Sequence, residues 1–148
     1  MTDTAATVRG LWAALSRRDW DAVAPFLADD CIYLDVPYGP TLAARGPADI
    51  IARIKIGFEP LSDYRNHDGL LVVDGDDAIY EHSERWEWPT GEVAELPFVT
   101  VHRVRDGAIT LWKDYWDSAT LVNSAPASWM ADLAAADTSW VFDATGYV

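Results

Sequence analysis

Cysteine is almost missing from this chain: Cys31 is the only one in 148 residues. No disulfide can close within the molecule, and a reducing compartment, the cytoplasm, is the expected location. Basic residues are also scarce, 11 against 24 acidic ones, for a formal net charge of -13. Such a surface repels a phosphate backbone, so no nucleic-acid partner is expected. No apolar run is long enough to span a bilayer, and Met1-Thr-Asp-Thr-Ala-Ala6 has neither the basic nor the apolar segment of a secretory leader. A soluble protein with no membrane attachment is the expectation.

Ligand motifs are missing too. His67, His82 and His102 stand at no metal-ligand spacing with one another or with Cys31. No glycine-rich phosphate loop occurs, and Asp74-Gly-Asp-Asp77 is too short for a calcium loop. Neither a metal nor a cofactor is therefore expected. Cys31 has no basic neighbour in sequence and reads as a small buried hydrophobe rather than a nucleophile.

What the chain has in quantity is apolar and aromatic side chains, 50% hydrophobic overall and 12% aromatic, including 8 tryptophans. That suffices for one domain with its own core. Thr2 or Asp3 can cap a first helix whose Val8, Leu11, Trp12 and Leu15 recur at helical spacing. A second, short helix is expected after Asp19, carrying Trp20, Val23, Phe26 and Leu27, with Pro25 confined to its first turns or breaking it. Cys31 to Val36 alternates as a strand, with Tyr33 and Asp35 on one side. Gly46-Pro47 opens a third helix with a stripe of Ile50, Ile51, Ile54 and Phe58.

From there to Asp117 the pattern is a meander. Strands at about 63–73, 78–88, 92–103 and 108–117 are separated by turn signals at Asp74-Gly75, Pro89-Thr-Gly91 and Asp106-Gly107. Helices followed by a meander make an α+β domain with helices on one face of a curved mixed sheet. Pro126 to Ala136 reads as a further helix, and Trp129, Trp140 and Phe142 imply a packed tail.

Two of these strands carry the chemistry. In Ala78-Ile-Tyr-Glu-His-Ser-Glu-Arg-Trp-Glu-Trp88, alternation puts Tyr80, His82, Glu84, Trp86 and Trp88 on one face. In Ile109-Thr-Leu-Trp-Lys-Asp-Tyr-Trp-Asp117, it groups Trp112, Asp114 and Trp116, an acid between two indoles. Acids among aromatic rings suit a pocket wall, and both faces are expected to line one cavity with Phe98 among its apolar walls. An apolar small-molecule substrate follows from such walls.

The element order, Asp29-Asp-Cys-Ile-Tyr33 and Arg105-Asp-Gly-Ala-Ile-Thr-Leu-Trp-Lys-Asp-Tyr-Trp-Asp117 resemble the cone-shaped α+β fold of the nuclear transport factor 2 and SnoaL-like superfamily. Within it the chain looks most like the limonene-1,2-epoxide hydrolase family. The resemblance covers about residues 4–121, implying a domain over 1–121 and an extension over 122–148 that packs on that domain or on a partner chain. It also implies a curved sheet with N-terminal helices on its concave face, and a homodimer.

The family's two working carboxylates, its bridging arginine and its Tyr and Asn then fall on Asp114, Glu84, His82, Tyr33 and Asp35. Glu84 replaces an aspartate, His82 the arginine and Asp35 the asparagine. Counting from Tyr80 instead puts the arginine and aspartate positions on Ser83 and Arg85; the first register keeps both on the aromatic face. With Glu84 ionised, Asp114 protonated and His82 between them, the site would open an epoxide with water or an internal hydroxyl. Asp35 is an alternative base. A His82 that titrates near neutrality would make activity steeply pH-dependent. The same groups suit an isomerase, cyclase or dehydratase, and an aromatic cavity also suits a binding module. Each residue has a plainer reading: a hydrogen-bonded strand histidine, a solvated Glu84, an Asp114 that braces backbone, a core Tyr33, a loop acid at Asp35, and tryptophans that form core or interface.

Overall fold

The structure is a computed structural model that describes residues 3–148. Thr2, one of the two expected caps, lies outside the described residues. Asp3 does cap: its Oδ1 accepts from the backbone N–H of Ala5 at 3.0 Å and of Ala6 at 3.3 Å, satisfying donors that a helix start leaves unpaired. Helix α1, Thr4–Ser16, buries the expected Val8, Leu11, Trp12 and Leu15. Arg18 then takes a left-handed φ of 53°, and its guanidinium donates to the carbonyls of Phe58 at 3.1 Å and Leu61 at 2.8 Å.

Helix α2, Trp20–Val23, starts on the Asp19 cap but lasts a single turn. Pro25 has no N–H to donate, and the chain tightens into a 3₁₀ turn over Ala24–Phe26. Phe26 therefore leaves the α-helix, and Leu27, expected in it, opens strand β1, Leu27–Asp35. A two-residue strand β2, Ala44–Arg45, pairs with β1. Helix α3, Pro47–Phe58, follows from Gly46, whose φ of 82° excludes most side chains. It buries Ile50, Ile54 and Phe58 and leaves Ile51 half-buried.

Strands β3 (Asp63–Asp74), β4 (Asp77–Glu87), β5 (Val93–Arg105) and β6 (Ala108–Trp116) form the meander. The six-stranded sheet runs β2-β1-β6-β5-β4-β3, with β1 parallel to β6 and every other pair antiparallel. The mixed sheet is thus as expected, and α1 and α3 pack against its inner face, whose side chains join theirs in one core. Along β4 the inner positions Ala78, Tyr80, His82, Glu84 and Trp86 are all buried, as period-2 alternation requires.

Two elements had no clear sequence signal: β2, too short to alternate, and α4, Ser118–Ser124, which starts on an Asp117 cap. Helix α5, Ala127–Ala135, sets Trp129 edge-on to Trp86 and Trp88, with ring centroids 6.1 and 5.5 Å apart. The chain then returns along the sheet edge, where Phe142 N donates to Ala43 O at 2.8 Å. Phe142 and Ala144 cover Ile32 and Leu34 on the back of β1. Among the described residues no helix is long and apolar enough to cross a membrane.

Candidate active site

Between the inner face of the sheet, α1, α3 and the C-terminal segment lies a cavity of about 290 Å³. It brings together Tyr33 and Asp35 from β1, Glu84 and Trp86 from β4, Phe98 from β5, and Trp112, Asp114 and Trp116 from β6. Tyr80, His82 and Trp88 are inner-face residues outside it. Trp12 of α1 lies over the first two, 5.7 Å from the Tyr80 ring and 4.2 Å from that of His82, and Trp129 packs on Trp88. Alternation identifies the face, but the helices decide which part of it remains open.

The acids occupy two ends of the cavity. Asp35 and Asp114 are direct partners across the parallel β1–β6 pair. Asp114 pairs with Thr100, and Thr100 with Tyr80, so Glu84 stands two strands across and four residues along. The two ring nitrogens of His82 face Asn66 and Thr100, at 2.7 and 2.8 Å, so His82 does not bridge Glu84 and Asp114 as expected.

Arg53 of α3 supplies the cation instead, its Nη2 lying 2.8 Å from Asp35 Oδ2. Its guanidinium also sits over the Trp140 ring, 5.3 Å from the centroid. Sequence reading passed over Arg53; the signal was a basic residue flanking the buried stripe, three residues after Ile50. Thr100 was missed as well, although alternation along β5 puts it on the inner face with Leu96 and Phe98.

Each carboxyl receives one indole N–H. Trp86 Nε1 donates to Glu84 Oε2 at 2.8 Å, Trp112 Nε1 to Asp114 Oδ1 at 2.9 Å, and Trp116 Nε1 to Asp35 Oδ1 at 3.0 Å. Thr100 Oγ1 lies 2.7 Å from Asp114 Oδ1. The buried Tyr64 hydroxyl faces the Glu84 carboxyl, and among the described residues the hydrogen bonds to Asp114 both end on Oδ1.

Burial, with Asp114 adding to it, pushes Glu84 up to about 8. This runs against the expectation that Glu84 is the ionised acid, because a dry site disfavours its charge. Burial and the neighbouring Asp35 push Asp114 up to about 7. Tyr33 is held well above the usual phenol range by burial and by Asp35 and Asp114, so it remains a proton donor. Burial lowers His82 to about 3; it stays uncharged through the physiological range, and the steep pH dependence expected from its titration is not predicted by this geometry. Cys31 is fully buried, its thiol pushed up to about 12 by burial and Asp30, which suits a packing residue.

No group of three His, Cys, Asp or Glu side chains among the described residues is arranged to hold a metal ion. The site offers an ion-paired carboxylate at one end, carboxyls whose burial favours their protonated form, and apolar walls between. Such a split in protonation is what acid–base chemistry needs.

Known proteins share this frame. The SnoaL-like domain family matches residues 8–112. Epoxide hydrolase EphG of Mycobacterium tuberculosis is 32% identical over 108 residues, 70% of this chain; the chain spans 66% of that protein's length. An NTF2-like protein of unknown function from Burkholderia pseudomallei superposes with a TM-score of 0.74 at 26% identity, over 86% of this chain and all of that one. A LEH-like epoxide hydrolase of M. tuberculosis superposes at 0.68 and 23% identity, over 89% and 92%, a likeness of fold. With a mixed α+β architecture of this kind and a family match across most of its length, the chain belongs to the SnoaL-like domain family of NTF2-like proteins.

Proposed function

We propose that this protein is a cofactor-independent enzyme that opens an epoxide on an apolar substrate. The observation that carries the reading is the pairing of Asp35 with Asp114 across β1 and β6, one carboxylate held by Arg53 and its neighbour dry, with a buried Glu84 across the cavity whose burial favours its protonated form. The epoxide hydrolase name of the 32% identical relative supports it.

In this mechanism Asp35 is the base. A water placed against Asp35 and the free Oδ2 of Asp114 gives one proton to Asp35 as its oxygen bonds to a ring carbon. The carbon–oxygen bond of the ring breaks, its electron pair stays on oxygen, and Glu84 supplies the proton that oxygen takes up. A general acid and a general base in position typically contribute about 100-fold or more each. Tyr33 adds a donor beside the nucleophile, and Trp86, Trp112, Trp116 and Phe98 keep bulk water out.

A second reading follows from Asp35 standing where the epoxide hydrolase pattern has an amide: a hydroxyl of the substrate replaces water, and the product is a ring. Turnover of an epoxide panel in ¹⁸O-labelled water separates the two. A diol with one labelled oxygen supports hydrolysis, and an unlabelled cyclic ether supports cyclisation. Glu84→Gln and Asp35→Asn should each lower kcat at least about 100-fold; full activity in both would overturn the acid–base assignment.

A further inference from the structure

Behind the cavity wall a chain of side chains leads from the surface to Asp114. Arg9 pairs with Asp68 at 3.0 Å, and the Tyr80 hydroxyl donates to Asp68 Oδ1 at 2.6 Å. Asn66 Nδ2 donates to the Tyr80 oxygen at 3.1 Å, and Asn66 Oδ1 lies 2.7 Å from His82 Nδ1. His82 Nε2 is 2.8 Å from Thr100 Oγ1, itself 2.7 Å from Asp114 Oδ1.

The direction of every link can be counted. The Asp68 carboxylate only accepts, so the phenol proton of Tyr80 points to it and the Tyr80 oxygen receives the Asn66 amide. That turns Asn66 Oδ1 to His82, whose Nδ1 must then carry the ring proton. Nε2 is left as a bare lone pair facing Thr100. The Thr100 hydroxyl has one proton and two claimants, His82 Nε2 and Asp114 Oδ1. With Asp114 ionised, that one proton closes only one contact: given to Asp114, it leaves the His82 lone pair unpaired; given to His82, it leaves Asp114 Oδ1 with the Trp112 indole but 2.7 Å from the Thr100 oxygen with no proton between them, and either is costly. With a proton on Asp114 Oδ1, the acid donates to Thr100, Thr100 donates to His82, and both short contacts are satisfied.

We propose that His82 is a positioning residue for Asp114: by claiming the single hydroxyl proton of Thr100, it makes Asp114 hold a proton of its own, turned away from the cavity. Asp114 Oδ2 is then left facing the cavity as an acceptor beside Asp35. The catalytic consequence rests on the reading above, while the proton count does not.

Other charges also act on these groups. Asp114 is faced by Asp35 and Tyr33 from β1, Arg53 from α3, Glu84 from β4, and Thr100 from β5. His82 is faced by Asp68 and Asn66 from β3, His102 and Thr100 from β5, and the uncharged Trp12 from α1. None of these would reproduce the effect of removing Nε2, because none competes for the Thr100 proton.

The test is NMR titration of the protein without substrate, carrying ¹³C-labelled aspartate and ¹⁵N-labelled histidine. His82 should show a protonated Nδ1 and a bare Nε2. His82→Phe, an aromatic ring for the slot between Tyr80 and Phe98, frees Thr100 to donate to the Asp114 carboxylate. The Asp114 midpoint should then fall by about one pH unit. In a Thr100→Val background, His82→Phe should leave the midpoint in place. A protonated Nε2 in the native protein, or a midpoint that stays or rises in His82→Phe, overturns the proposal. The tautomer alone decides if the variant does not fold. If the midpoint falls as expected but the pH profile of kcat/KM does not move, the proton count stands and the catalytic role of Asp114 fails.

Discussion

Glu84→Gln removes a charge that the fold cannot tolerate while preserving shape and the acceptor used by Trp86. Glu84 is 2% exposed, and its carboxyl lies at about 8 against an ordinary value of 4.5. The folded state thus keeps a proton that the unfolded chain releases, and stability falls as pH rises from the unfolded value to the folded one. At 1.36 kcal/mol per pH unit, the native protein should lose roughly 3 kcal/mol between pH 5 and 8 through Glu84 alone. The glutamine variant has no such loss. Asp114 is present in both proteins, so its share cancels to first order. For a chain of this size the gap corresponds to roughly 6 to 12 °C in Tm. Thermal or urea unfolding at pH 5, 6, 7 and 8 reads it directly: the two proteins should be close at pH 5, with the variant increasingly the more stable above it. Parallel curves would mean that Glu84 ionises as freely inside the fold as outside, and the assignment of Glu84 as proton donor would go with it.

Arg53→Leu should cost about 3 to 5 kcal/mol by leaving the Asp35 carboxylate buried without its partner, and should abolish turnover; a double variant with Asp35→Asn should recover much of the stability but none of the activity. Trp129→Ala opens space against Trp86 and Trp88 and should cost about 3 to 5 kcal/mol in urea unfolding; an unchanged midpoint would mean that the tail is not part of the core. A homodimer through the outer face of the sheet is proposed, since Val72, Ile79, Val99 and Tyr115 are exposed there. Light scattering should give twice the chain mass, falling to one for Ile79→Lys with Val99→Lys; a native mass of one chain would end that proposal.

Much of the frame was legible because it rests on local rules. Asp3, Asp19 and Gly46-Pro47 mark helix starts, the turn residues mark the meander, and strict alternation from Tyr80 to Trp88 marks a buried face. The Trp112-Lys-Asp114-Tyr-Trp116 stretch announced an acid held by indoles, and Trp112 does donate to Asp114, while Trp116 reaches across to Asp35. What stayed hidden depends on neighbours distant in the chain. Nothing local tells that Trp12 covers Tyr80 and His82, or that Arg53 reaches Asp35 across 18 positions. Charge states were illegible for the same reason, since burial sets them and burial is a property of the assembled core.

The acids stand on β1, β4 and β6, whereas Trp129, Leu133, Trp140 and Val141 at the far end of the chain complete the cavity wall. Reactivity and admission are therefore written in separate stretches of the polypeptide. Leu133 and Val141 line that wall without touching a carboxyl or its partner, which makes them the natural positions to vary when a different guest molecule is wanted.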